Sequence, residues 1–220
     1  MVILPLIRKL RKRIHREIAF AQDVLIQEVF RTFNSAILHG GTAVWRCYQS
    51  NRFSEDLDFY ISQKEKEKIE KFFEELKDLG FKILKRKLTK NALYSKLKYN
   101  EVEIRFEVLF KEIKNFATKE YEMADGTKIV VNTLFPEDLI KEKVETYLNR
   151  LNIRDLYDIF FLLDFAKQRE IKNDLSRLLK NFKNPKNEKE LKYLIIVGTA
   201  PKLEEMLKKI KKYEENKTYR

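Results

Sequence analysis

The sequence predicts an α/β fold: a lobe that mixes strands with helices, followed by a lobe of helices alone. Three observations carry this. Leu10, Ile14, Ile18, Leu25, Val29 and Phe33 recur at helical spacing between Arg8 and Phe33. Short β-favouring runs bounded by turn residues then crowd the stretch from Leu57 to Leu134. From Pro136 onward the pattern is helical, and Pro136 followed by Glu137 and Asp138 is good chemistry for a helix start.

In chain order, Asn34 and Ser35 end the first helix. Ala36 to Leu38 is a short apolar run that enters His39, Gly40, Gly41 and Thr42, and Ala43 to Tyr48 is expected to be a helix beginning at that turn. Leu57 to Ile61 reads as a buried strand. Gln63 to Leu79 reads as a charged amphipathic helix closed by Gly80. Strands are expected at Phe81–Leu84, Leu93–Tyr99, Val102–Phe110 and Lys128–Leu134, with turns at Asn100-Glu101 and Asp125-Gly126. Helices follow over about 137–149, 153–168, 174–182, 188–197 and 201–216. No repeat or flexible linker divides the chain. The expected organisation is an α/β lobe over 1–135, including the N-terminal helix, and a helical lobe over 136–220 that completes a cleft.

Composition bounds the function. The 220 residues include 16 Phe and 10 Tyr within a hydrophobic share of 44%, which supplies a core and excludes global disorder. No run approaches the roughly 18 apolar residues of a membrane span. The start, Met1 to Leu6, is apolar and the charge of Arg8 to Arg16 follows it, the reverse of a signal peptide. A cytoplasmic protein is therefore expected, and the lone Cys47 leaves no internal disulfide framework. The net charge of +12 suits a polyanionic partner, and equally a solvated lysine- and glutamate-rich surface of the heat-adapted kind. With only His15 and His39, neither a histidine metal site nor a triad is expected.

Chemistry concentrates between Leu38 and Phe59. Gly40 and Gly41 permit unusual dihedrals and a close backbone approach to a ligand, N–H groups at a helix start can face a phosphate, and Thr42 adds a hydroxyl. After thirteen intervening residues, Asp56-Leu57-Asp58 opens a strand. Alternation places both carboxylates on one face, where they repel unless a cation compensates; Mg²⁺ prefers such oxygen ligands. Arg52 can fork onto phosphate oxygens or pair with Glu55, and Ser54 can orient the turn. Singly, each element is more often a plain turn, a solvated acidic strand start or a surface ion pair. Cys47, beside Trp45 and Tyr48, reads as a small core residue.

Jointly, Gly40-Gly41-Thr42, the thirteen-residue spacing and Arg52-Phe53-Ser54-Glu55-Asp56-Leu57-Asp58-Phe59 resemble the signature of the polymerase-β-type nucleotidyltransferases. Within that superfamily they look like the AbiEii/AbiGii nucleotidyltransferase toxin family. The resemblance implies a polymerase-β-like mixed sheet with flanking helices and a helical C-terminal lobe. It also implies a third carboxylate on a neighbouring strand. Glu107 in Ile104–Val108 is the candidate, a departure from the Asp usual there, and Glu103 on the same face is the fallback. A second family block, in which a lysine-bearing helix precedes Arg-Asp-x-x-Asp, matches Lys143, with Lys141 nearby, then Arg154, Asp155 and Asp158. Asp155 and Asp158 would anchor the lysine or the incoming acceptor, or serve only the helix start and an ion pair with Arg154.

The implied activity is transfer of a nucleotide from an NTP to an acceptor hydroxyl with Mg²⁺ or Mn²⁺, the acceptor being tRNA and the context a toxin–antitoxin pair. In that reading Asp56, Asp58 and Glu107 hold metal. Gly40, Gly41, Thr42, Arg52 and Ser54 serve the nucleotide, and Lys143, Asp155 and Asp158 are catalytic. The partners are an NTP, an RNA and a cognate antitoxin, with no membrane. The alternatives are a small-molecule or protein nucleotidyltransferase of the same fold, and a non-catalytic NTP- or RNA-binding protein. Residues 170–220 resemble nothing further, and their lysine-rich stretch from Lys202 to Lys212 is open to an acceptor or to solvent.

Overall fold

The computed structural model describes residues 5–215 and divides into two compact units. The first holds the chain up to Gln49 together with Phe53–Thr133; the second holds Ser50–Arg52 and the chain from Leu134 onward. Among the described residues no helix is long and apolar enough to cross a membrane.

In the first unit, helices α1 (Leu6–Lys9), α2 (Arg13–Thr32), α3 (Gly40–Arg46) and α4 (Ile69–Asp78) accompany a mixed seven-stranded sheet. Its strands are β1 (Ile37–His39), β2 (Leu57–Ile61), β3 (Phe81–Leu88), β4 (Ala92–Tyr99), β5 (Val102–Phe110), β6 (Ala117–Glu122) and β7 (Lys128–Thr133), ordered β3-β4-β5-β2-β1-β7-β6. β2 runs parallel to β5, β1 runs parallel to β7, and the other neighbours are antiparallel. Strict alternation along β5 puts Val102, Ile104, Phe106, Val108 and Phe110 into the core and leaves Glu103, Arg105 and Glu107 on the opposite face. Phe106 packs against Phe59 of β2 and Phe72 of α4, with ring centroids 5.8 and 5.4 Å apart. Fully burying each such aromatic contributes on the order of 2–3 kcal/mol.

The first helix is broken where one continuous helix was expected. Leu10 is extended and buried, and the Arg16 guanidinium donates to its carbonyl at 2.7 Å. Six basic residues lie between Arg8 and Arg16. An unbroken helix would stack Arg8 on Lys12, Lys9 on Arg13 and Lys12 on Arg16, each costing a few tenths of a kcal/mol. The break also seats both Leu6 and Leu10 in the core. The helix expected over 63–79 starts as a 3₁₀ turn, Gln63–Lys68, before α4.

Two strand expectations fell short. β6 carries only Ala117 and Tyr121 as apolar residues, too few to show alternation; it is an edge strand held by β7. β3 runs on to Leu88 through Lys85, Arg86 and Lys87, whose backbones pair with β4. Lysines on such an open edge discourage pairing with other chains. A bulge between Ile83 and Lys85 rephases β3, so that Lys82 and Lys85 lie on the same face.

The second unit is helical: α5 (Pro136–Arg150), α6 (Ile153–Leu162), α7 (Gln168–Lys180), α8 (Leu191–Leu194) and α9 (Leu203–Glu215). α6 is shorter than expected, because the apolar run through Phe165 continues past the helix end. α7 starts earlier than expected, because its first turn is polar and only Ile171, Leu175 and Leu178 are buried. The last residue of the helix expected over 201–216, and residues 1–4 of the apolar start, lie outside the described residues.

Candidate active site

The site grows from register. Asp58 of β2 lies directly beside Glu107 of β5, with His39 of β1 on the other side of Asp58 and Tyr94 of β4 on the other side of Glu107. One row across four strands thus reads His39, Asp58, Glu107, Tyr94. With Val108 and Leu109 these residues line a hollow of about 190 Å³. His39 is stacked on Tyr60 at 4.1 Å, which fixes its ring.

The Gly40-Gly41-Thr42 turn shapes the same place from behind. Gly40 opens α3 at φ +72°, and the Asp58 carboxylate occupies the space that a side chain on Gly40 would need. Thr42 is fully buried and donates its hydroxyl to the Asp56 carbonyl, so α3 and the aspartate strand are tied together. Thr42 is thereby a clamp on the Asp56 backbone. Gly41 is buried within α3. Ser54 is buried, and its carbonyl accepts from Gln22 Nε2 at 3.0 Å, anchoring the turn before Asp56 to α2.

Asp56 lies one step further along the sheet, and its carboxylate is held by Arg105. Arg105 Nε donates to Oδ1 at 2.9 Å, and a second guanidinium nitrogen donates to Oδ2. Arg105 is on β5, two residues before Glu107 and on its face. Among the described residues no three acidic or histidine side chains converge on one point. Asp58 and Glu107 adjoin, while Asp56 is committed to Arg105. The fallback Glu103 pairs with Lys96 instead.

Electrostatics mark the crowding. Partial burial pushes the Glu107 carboxyl up, and the negative charges of Asp58 and Asp56 push it further; Arg105 and His39 oppose this only in part. The donor set therefore suits a hard divalent cation. It offers carboxylate oxygens on neighbouring strands beside the Arg105 guanidinium, with the Glu107 carboxyl pushed up by burial and by its neighbours' charge. Asp58 and Glu107 lie side by side on neighbouring strands, and Asp56 is held by Arg105.

The remaining expected residues assemble separately, in the second unit. Arg52, 3% exposed, forks onto Asp158 with both nitrogens at 2.8 Å, rather than presenting its fork to phosphates or pairing with Glu55. Lys143 of α5 reaches Asp158 at 2.8 Å and Asp155 at 3.5 Å, and Arg150 closes on Asp155 at 2.7 and 2.8 Å. Both aspartates are completely buried. Burial pushes the Asp158 carboxyl up, and Arg52 with Lys143 more than offsets this and holds it below the usual range. Asp155 and Asp158 thus anchor Lys143, and Asp158 takes Arg52 in place of the Arg154 that the sequence spacing suggests. Lys141 is exposed.

Sequence reasoning missed two site residues. Arg105 is the partner of Asp56, and its place two residues before Glu107 already put it on the right face. Tyr94 is part of the hollow, yet nothing local distinguishes it from any strand tyrosine. The buried Cys47 has its thiol pushed up to about 12 by burial and takes no part.

The structure is similar to that of MenT4, the nucleotidyltransferase toxin Rv2826c from Mycobacterium tuberculosis H37Rv, with a TM-score of 0.59 and 15% identity over 90% of this chain and 82% of that one. It is also similar to JHP933 from Helicobacter pylori, with a TM-score of 0.55 and 17% identity over 89% of this chain and 88% of that one. At such identities the likeness is one of fold. No curated protein matches the sequence significantly. The family described as the nucleotidyl transferase AbiEii toxin of a type IV toxin–antitoxin system matches residues 26–216. With that match spanning most of the chain and the Gly40–Asp58 geometry in place, the protein belongs to the AbiEii nucleotidyltransferase toxin family.

Proposed function

We propose that the protein transfers a nucleoside monophosphate from an NTP to an acceptor hydroxyl on RNA, in a reaction that depends on Mg²⁺ or Mn²⁺. The observation that carries this is the in-register pair Asp58 and Glu107, with Asp56 one step away on the same face and Gly40 packed against Asp58. Asp56, Asp58 and Glu107 would hold the cation. When bound, it neutralises the polyphosphate and polarises its oxygens. The acceptor oxygen gives up its proton to solvent and bonds to the α-phosphorus, the bond from that phosphorus to the bridging oxygen breaks, and pyrophosphate leaves. Gly40 keeps a side chain out of the approach to Asp58. Thr42 holds the Asp56 backbone in place. Lys143, Asp155, Asp158 and Arg52 form an internal ion network, and we assign them positioning roles for the second family block.

An RNA acceptor is favoured by the hairpin beside the site. Between Phe81 and Tyr99 the chain has seven basic residues and no acidic one. Register puts Lys82, Lys85, Lys87, Lys96 and Lys98 on the face that carries Tyr94, Glu107 and Asp58. Such a face matches a phosphate backbone, and the half-exposed Tyr94 offers a surface for a base to stack on. The family implies a cognate antitoxin, and tRNA is the acceptor we favour.

The test is label transfer. The protein is incubated with Mg²⁺, each α-labelled NTP in turn and total tRNA, beside the Asp56→Ala/Asp58→Ala variant. Label on tRNA that the variant fails to add is the expected result. Label only on protein or small molecules would replace the acceptor. NTP binding with no transfer to anything would leave a binding protein.

A further inference from the structure

The fork of Arg105 on Asp56 occupies the carboxylate that the proposed site needs. The ion pair is open to solvent: the Arg105 side chain is 55% exposed and that of Asp56 25%. Arg105 is rooted on β5, two residues before Glu107 and on the same face. A planar guanidinium fits a carboxylate and a phosphate equally well, by the same two parallel N–H···O bonds. A carboxylate gripped by both nitrogens has few lone pairs left for a cation.

We propose that Arg105 is a positioning residue that exchanges partners. In the nucleotide-free protein it holds Asp56 and limits the repulsion among Asp56, Asp58 and Glu107. When a divalent cation and a nucleotide arrive together, the cation takes Asp56 and Arg105 turns its fork to an oxyanion of the polyphosphate. No group is left without a counter-charge: Asp56 trades the guanidinium for the cation, and Arg105 trades a carboxylate for a phosphate oxyanion. Metal occupancy is thereby tied to nucleotide occupancy. This rests on the metal reading of the site given above.

The prediction has two opposite signs, which a merely structural residue would not produce. Arg105→Ala removes a competitor for Asp56, so Mn²⁺ alone, followed by electron paramagnetic resonance without nucleotide, binds about two- to fivefold more tightly, as an exposed ion pair allows. The same variant loses a charge-assisted fork, so NTP binding at saturating Mn²⁺, measured by calorimetry without acceptor, weakens by about tenfold or more. Arg105→Lys keeps the charge without the fork and falls between. The urea midpoint of each variant checks that the fold persists. If Asp56→Ala leaves wild-type Mn²⁺ affinity unchanged, the metal reading falls and the exchange with it. If Asp56→Ala weakens Mn²⁺ while Arg105→Ala leaves it unchanged or weaker, the exchange alone is overturned.

Discussion

Gly40→Ala isolates what the glycine turn contributes. Gly40 sits at φ +72°, where a side chain costs about 1–2 kcal/mol; the smaller entropy of the unfolded alanine chain returns about 0.4–1 kcal/mol. The new methyl would overlap Asp58 Oδ2 and lie 3.1 and 3.2 Å from the Cγ and Cβ of Asp58, so the carboxylate must turn off its rotamer, at about 0.5–1.5 kcal/mol. The sum is about 2 kcal/mol, and Tm should fall by about 4–8 °C. In an Asp58→Ala background the collision is gone and only the backbone part, about 1 kcal/mol, should remain. The double-mutant cycle, read by urea unfolding, should therefore give a coupling of about 1 kcal/mol. Mn²⁺ affinity should drop in Gly40→Ala because Asp58 no longer points beside Glu107. Additive losses in the cycle, with Mn²⁺ affinity at the wild-type level, would refute the packing of Gly40 against Asp58 as the reason for glycine there.

Other outcomes follow from the same geometry. Asp158→Asn leaves Arg52 and Lys143 buried without their shared counter-charge, and should lower stability by about 3–5 kcal/mol in urea unfolding. Burial pushes the Glu65 carboxyl up. Lys68, the Ser35 hydroxyl and the N–H groups of Ser35 and Asn34 more than offset this and hold it at about 2, below its ordinary 4.5. A depressed folded value means that its contribution is complete above 4.5 and is lost as pH falls toward 2. Glu65→Gln should therefore be less stable than wild type by about 1–2 kcal/mol near pH 6 in urea unfolding, the difference closing on acidification. Replacing Lys82, Lys85 and Lys87 together by alanine should weaken RNA binding and reduce its log–log salt slope by about 2, at about 0.7 per lost phosphate contact, with NTP binding unchanged. An unaltered slope would remove the hairpin from the acceptor path.

Much of the site is legible in the sequence because it is local. Period-two alternation by itself places Asp56 and Asp58 on one face of their strand, and Glu103, Arg105 and Glu107 on one face of theirs. Glycine beside an apolar strand end signals a backbone that tolerates no side chain. β2, a buried run, and β5, with strict alternation, match their expected bounds; β6, with two apolar residues, leaves no trace in the pattern. Helix ends were misjudged where hydrophobicity runs past the helix, after Leu162, or begins late, before Ile171.

Local pattern carries the periodicity of each element, the faces on which charges lie, and a motif spacing specific enough to indicate the family. Tertiary structure alone decided the partners. It set Asp58 beside Glu107 by the β2–β5 register, gave Asp56 to Arg105, tied Thr42 to the Asp56 carbonyl, and buried Arg52 against Asp158, 106 residues away. Periodicity is a property of a few neighbouring residues and survives in any context. Register and ion-pair choice depend on which distant strand or helix the core selects, and on which charges that packing seals from water.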